Sequence, residues 1–221
     1  MTFAIMKKKC LFLFLLIVLL SLNPNHLFAK NKIKFEKVDI GSNSSIGAGF
    51  IQDRDGFFWI GSQPGLNKWN GSGNMIYMSS ASGLTDNTVT AIIEDKKGRI
   101  WVGTMDGLNA YDKSTNQFTQ FKYDPNNLNS LSHESIGMIN HFQSLIEDKS
   151  GELWIATQNG LNRFTPENKQ FVHFMHDPEN HDSISSNVIN AVFQDSGGTL
   201  WVGTKDGLNK LNKENGTFIR Y

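Results

Sequence analysis

One phrase, written four times, restricts this chain to very few folds. The copies are Asp53-Arg-Asp-Gly56-Phe-Phe-Trp59-Ile-Gly-Ser, Asp95-Lys-Lys-Gly98-Arg-Ile-Trp101-Val-Gly-Thr, Asp148-Lys-Ser-Gly151-Glu-Leu-Trp154-Ile-Ala-Thr and Asp195-Ser-Gly-Gly198-Thr-Leu-Trp201-Val-Gly-Thr. Six residues after its Trp, each copy runs into Gly-Leu-Asn, beginning at Gly65, Gly107, Gly160 and Gly207. The Trp-to-Trp steps are 42, 53 and 47 residues. A fixed phrase at a period of roughly 40–50 residues signals stacked supersecondary units, and this period is that of β-propeller blades.

The second copy shows how one period folds. Thr88 to Glu94, Arg99 to Thr104, Leu108 to Asp112 and Gln117 to Tyr123 alternate and are rich in β-branched and aromatic residues, which predicts four strands. Asp and Gly at fixed offsets between them supply tight turns, because Gly accepts positive φ and Asp bonds its own backbone. In the second strand both parities are apolar or small: Ile100 and Val102 on one face, Trp101 and Gly103 on the other. A strand with one wet face would alternate apolar with polar, so this one is buried on both. The expectation is an all-β propeller segment of four blades, each of four antiparallel strands, over about 44–79, 85–123, 134–176 and 186–221. Trp59, Trp101, Trp154 and Trp201 then wedge between blades, and the small residue two places on (Gly61, Gly103, Ala156, Gly203) is expected to make room for each Trp. The third copy carries a surplus near Gly137 to His141, and insertions confined to one blade fall in loops.

Residues 1–29 are set apart from this pattern. Lys7, Lys8 and Lys9 precede an unbroken apolar run from Leu11 to Leu20, followed by a polar stretch ending in Ala29. That is the layout of a secretory signal peptide, and the run is too short for a membrane-spanning helix, which needs about 18–20 apolar residues. The propeller is then assigned to 30–221. Cys10, the only cysteine, leaves with the peptide, so packing rather than disulfides must hold the fold. Loss of three lysines tips a balance of 21 basic and 21 acidic residues towards acid, which gives no electrostatic footprint for nucleic acid. Ile33 to Val38 resembles an outermost strand, yet the fourth copy has its own at Thr217 to Tyr221. The expectation is that residues 33–38 close a later blade and that the chain is a piece of a larger ring.

No catalytic arrangement stands out. There is no Gly-x-Ser-x-Gly, no His-Glu-x-x-His and no phosphate-cradling Gly loop. His173 and His176 lie three apart on an expected strand and so face opposite ways, which does not suit one metal. Asp53-Arg-Asp55-Gly56 opens like a calcium loop but lacks the further oxygens and the closing Glu, so turn chemistry accounts for it. Neither a metal nor a cofactor is expected.

The motif Asp-x-x-Gly-x-x-Trp-Ile/Val-Gly-Thr-x-x-Gly-Leu-Asn, with Asp-Pro-x-x-x-x-Ser-Leu-Ser between copies, resembles the two-component regulator propeller repeat. The resemblance implies the N-terminal part of a periplasmic sensor, in which seven-bladed propellers precede a membrane helix and a cytoplasmic histidine kinase. It implies sensing of oligosaccharides, with the remaining blades and domains of the sensor as partners and no catalysis by this chain. A free-standing secreted propeller, acting as a lectin or interaction module and self-associating as a homodimer, is the alternative. A ligand is expected on the face shared by the inter-blade linkers and the turns before each Gly-Leu-Asn. There Gln63, Asp106, Gln158, Asn159, Lys205 and Asp206 offer the paired donors and acceptors that hydroxyl-rich sugars need.

Overall fold

The structure, a computed structural model, describes residues 45–137 and 143–221. The signal peptide, the strand expected at 33–38 and most of the insertion after Gly137 lie outside the described residues. Among the described residues, which belong to the unit of residues 40–221, sixteen strands form four antiparallel sheets, each built from four strands consecutive in sequence. Blade 1 holds β1 (Ser45–Gln52), β2 (Phe58–Gln63), β3 (Leu66–Trp69) and β4 (Met75–Met78). Blade 2 holds β5 (Val89–Glu94), β6 (Ile100–Thr104), β7 (Gly107–Asp112) and β8 (Gln117–Phe121). Blade 3 holds β9 (Leu145–Glu147), β10 (Leu153–Thr157), β11 (Gly160–Thr165) and β12 (Gln170–Phe174). Blade 4 holds β13 (Ile189–Gln194), β14 (Leu200–Thr204), β15 (Gly207–Asn212) and β16 (Thr217–Arg220).

The first strands pack on one another, β1 on β5, β5 on β9 and β9 on β13, so they form the inner edge. Among the described residues no comparable packing joins β13 to β1, and the four blades make an open arc. Three seams separate the blades, and each is an apolar cluster with a Trp at its centre. Trp59 and Leu66 meet Val89, Ile100, Val102 and Tyr111 of blade 2. Trp101 and Leu108 meet Leu145, Leu153, Ile155 and Phe164 of blade 3. Trp154 and Leu161 meet Val192, Leu200, Val202 and Leu211 of blade 4. The two parities of β6 thus serve two seams, which is why neither is polar.

The small residue after Trp101 has a different purpose from the expected one. A Cβ on Gly103 would lie 2.8 Å from Ile136 Cγ2 and 3.2 Å from Ala91 Cβ, so the space admits Ile136 from the following blade rather than Trp101. The Gly of Gly-Leu-Asn is also fixed by close approach. At Gly107 and Gly207, φ is +126° and +123°, and a Cβ would stand 2.6 and 2.7 Å from the carbonyl oxygens of Phe121 and Tyr221. A side chain there would drive the outermost strand away.

Candidate functional site

Each repeated Asp does two jobs. Asp95 Oδ1 accepts the backbone N–H groups of Lys97 and Arg99, both at 2.9 Å, which closes the turn around Gly98 at φ +83°. Its Oδ2 accepts the indole N–H of Trp101 at 2.8 Å. The same bond joins Trp59 to Asp53 at 2.9 Å, Trp154 to Asp148 at 2.8 Å and Trp201 to Asp195 at 2.9 Å. A buried indole N–H requires a partner, and the constant six-residue step from Asp to Trp is the sequence signal that supplies it. Burial alone would raise the Asp148 carboxyl, but bonds from Lys213, Ser150, Trp154 and the Glu152 N–H hold it at about 2.

The Asn of Gly-Leu-Asn fixes the linker that enters its blade. Asn109 Oδ1 accepts the Thr85 N–H at 2.9 Å, and its Nδ2 donates to Thr85 Oγ1 at 2.8 Å. Asn162 holds Ser132 and Asn209 holds Ser185 with the same pair of bonds. The Thr that ends Trp-Val-Gly-Thr meets the same hydroxyl, as Thr104 does Thr85 at 2.7 Å. This clamp sinks Leu84, Leu131 and Ile184 into the three seams. In blades 2, 3 and 4 one outer-strand side chain then grips the linker carbonyl two residues earlier. Gln120 Nε2 donates to Gly83 O at 2.9 Å, Arg220 Nε donates to Ser183 O at 2.8 Å, and His173 Nε2 lies 2.7 Å from Ser130 O.

On the opposite face a ladder runs from blade to blade. The residue after each turn Asp donates its N–H forward, from Arg54 to Glu94, Lys96 to Glu147 and Lys149 to Gln194, each at 2.9 Å. Its cation also caps carbonyls of the next turn, as Lys96 does those of Asp148 and Lys149. In blade 4 the corresponding residue is Ser196.

The six residues expected to meet a ligand sit at the turns β2–β3, β6–β7, β10–β11 and β14–β15, and all but half-buried Asp106 are exposed. These turns bond to the segments leading into blades: Met105 N–H to Thr88 O at 3.2 Å, Gly160 N–H to Asn187 O at 2.7 Å, Lys205 N–H to Val188 O at 3.0 Å. Turns and linkers therefore share a face. No hydrogen bond or ion pair among the described residues joins any of the six to another. Asp106 is engaged by Lys122 at 2.6 Å. Among the described residues no three His, Cys, Asp or Glu side chains are grouped to hold a metal.

Two clefts open on the opposite side, at the outer rim of the seams. One, of about 590 Å³, is lined by residues of Trp101's seam including Arg99, Ala110, Thr119, Pro166 and Lys169. The other, of about 490 Å³, is lined at Trp154's seam by Arg163, Val172 and Lys213 among others.

Four-stranded antiparallel sheets, fanned about their first strands and sealed by a repeated Trp, define a β-propeller. The model of the two component regulator propeller family matches residues 83–106, 137–159 and 183–206. No curated protein matches the chain. Among solved structures it resembles the extracellular domain of BT3049 from B. thetaiotaomicron, a protein described as a hybrid two component system. The TM-score is 0.70 and the identity 22%, over 84% of this chain and 26% of that one. The chain thus spans about a quarter of that domain. A virginiamycin B lyase from Staphylococcus aureus aligns with a TM-score of 0.62 at 14% identity, over 86% of this chain and 60% of the lyase. The WD40 propeller domain of Doa1 aligns at 0.53 and 14%, over 82% and 53%. At such identities the likeness is one of fold.

Proposed function

We propose that the chain is an exported, ligand-sensing propeller segment of a two-component regulator and performs no chemistry of its own. The observation that carries this reading is the match of three of its repeats to the two component regulator propeller. The signal-peptide pattern of residues 1–29 supports export. Further blades belong against the outward face of blade 4, where Phe193, Leu208 and Tyr221 are exposed while their counterparts in blade 2, Ile93, Leu108 and Phe121, are buried or half-buried. The linker and turn face, with Gln63, Asp106, Gln158, Asn159, Lys205 and Asp206, takes an oligosaccharide. Binding favours one arrangement of the sensor, and that bias passes through the membrane to a histidine kinase. The test is to read the transcript beyond the Tyr221 codon. Further Trp-Val-Gly-Thr copies, a membrane helix and a kinase are expected, and a stop codon directly after Tyr221 overturns the sensor reading.

A further inference from the structure

The seam between blades 2 and 3 departs from its neighbours at three aligned positions. Across the sheet from the seam Trp stand Lys68, Arg163 and Lys210 in blades 1, 3 and 4, but Ala110 in blade 2. On the outer strand, the partner of that residue is Ile76, Val172 or Ile219, but Thr119 in blade 2. From the following blade, Lys113 reaches Asp53 at 2.9 Å and Lys213 reaches Asp148 at 2.6 Å. Asp95 receives no such lysine, because Pro166 stands at that place in blade 3. Arg99 of blade 2 itself bonds Asp95 at 2.6 Å and lies over Trp101, 5.2 Å from the ring centroid.

Ala110 and Pro166 stand where the other seams carry long cationic side chains, Thr119 puts a hydroxyl where they carry Val or Ile, and all three line the cleft of about 590 Å³. In the neighbouring cleft of about 490 Å³ the same places hold Arg163, Val172 and Lys213. Arg99 takes the cation's place both at Asp95 and over Trp101, which leaves the volume beside Ala110 and Pro166 open. Five cations line the cleft, and all but Lys169 are paired with carboxylates: Arg54 and Lys113 with Glu94, Lys97 with Glu167, and Arg99 with Asp95. Arg99 is a third exposed and bonds Asp95 through Nε, while Lys97 meets Glu167 at 2.5 Å. The Lys169 ammonium has no carboxylate partner among the described residues. Asp55 and Asp112 stand at the far lip, Asp55 bonded to Lys113 at 2.8 Å and Asp112 to Ser114 at 2.7 Å.

We propose that this cleft binds a carboxylate-bearing sugar ring, the uronic acid unit of a glycan, at a site apart from the linker and turn face. Arg99 and Lys169 supply a planar donor pair and a point charge for a carboxylate. Ala110 and the half-buried Phe121 ring give an apolar floor for the C–H face of a pyranose, and the Thr119 hydroxyl can donate to or accept from a ring hydroxyl. Bare phosphate would satisfy the cations but leave the floor uncovered.

Titration calorimetry of the full chain decides it, with D-galacturonate, its neutral counterpart D-galactose, and inorganic phosphate as probes. Galacturonate is expected to bind at least ~10-fold more tightly than galactose, the value of one charge-assisted hydrogen bond. Ala110→Leu and Thr119→Ile fill the cleft without adding a charge, and Ile already stands at the second place in blades 1 and 4. Each is expected to weaken galacturonate binding at least ~10-fold while leaving the melting temperature unchanged. Lys169→Gln, outside the packed seam, is expected to weaken it about 3-fold or more and to flatten its salt dependence. Ser72→Ala, in an exposed turn of blade 1 outside the cleft, is expected to leave it unchanged. Absence of galacturonate binding, a preference for phosphate, or full affinity in both cleft-filling variants overturns the proposal.

Discussion

Trp101 and Trp201 occupy the same place in two blades of the same repeat, and only one of them is covered. Trp101 is 2% exposed, enclosed by Leu145, Leu153, Ile155 and Phe164 of blade 3. Trp201 is half-buried, and around it Phe193, Leu208, Ile219 and Tyr221 are 49%, 43%, 54% and 67% exposed. Yet the indole-to-Asp bond differs by only 0.1 Å, 2.8 against 2.9 Å. The hydrogen bond therefore belongs to the single blade, and the burial belongs to the pair. A blade orders its Trp by itself and gains the apolar energy only when a neighbour arrives.

The largest effect that should separate the two is truncation of the ring. Trp101→Ala removes a fully enclosed side chain and is expected to cost about 3–5 kcal/mol. Trp201→Ala gives up a half-solvated ring and should cost less than half as much. Urea unfolding of both variants in the same chain measures the gap. Equal losses would mean that the outward face of blade 4 is covered in solution, and the contrast would break.

Much of this contrast can be read from the sequence, and the reasons for the rest are physical. Strands β5–β8 fall within two residues of their expected limits, because Asp-x-x-Gly and the Gly of Gly-Leu-Asn force turns at fixed places. The double burial of β6 follows from its unbroken run of apolar and small residues. The partner of each Trp was missed, since alternation shows which way a residue points and not which polar group waits there. The purpose of Gly103 was also misassigned, because Ile136 lies 33 residues on and no local pattern links the two. The turn residues Gln158 and Lys205 carry no such signal in either direction. They sit where the repeat varies, and variation marks a solvated tip as readily as a binding rim.

Acid should divide the covered from the open end next. Asp148 is fully enclosed and held at about 2, against an ordinary 3.8, with Lys213 arriving from blade 4. A carboxyl depressed in the folded state adds stability above its unfolded value, and that stability is lost as pH falls from about 4 towards 2. The shift corresponds to about 2 kcal/mol. Asp195 also lies below the usual range through its bonds to Trp201 and Thr199, but no cation from a following blade reaches it among the described residues. Carboxyl titration followed by NMR is expected to show Asp148 as the more acidic of the two. The reverse order would remove the following blade's lysine from the account.

Gly103→Ala and Gly203→Ala put the same methyl group into the two environments. At Gly103 it would press on Ile136 at 2.8 Å, whereas at Gly203 the nearest atom is the Ala191 carbonyl oxygen at 4.0 Å. The first substitution is expected to cost about 1–3 kcal/mol as overpacking, and the second about 0.5 kcal/mol or less. A destabilised Gly203→Ala chain would place an unseen neighbour against blade 4.

The smallest effect tests the ladder on the face opposite the linkers. Lys96 donates to the carbonyls of Asp148 and Lys149 at 2.8 and 2.7 Å and has two-carbonyl caps to lose. Lys96→Ala should therefore cost about 1 kcal/mol, the net worth of a charged hydrogen bond discounted for its solvent-exposed half. Ser196 occupies the same rung in blade 4, and Ser196→Ala should be silent in the isolated chain. Ser196→Lys is the informative companion. With no further turn to cap, its ammonium stays in water and stability is unchanged. If a neighbouring blade does sit there, the new lysine should recover about the 1 kcal/mol that Lys96→Ala loses. A stabilised Ser196→Lys chain would thus show the open rung to be occupied, whatever the Trp201 substitution shows.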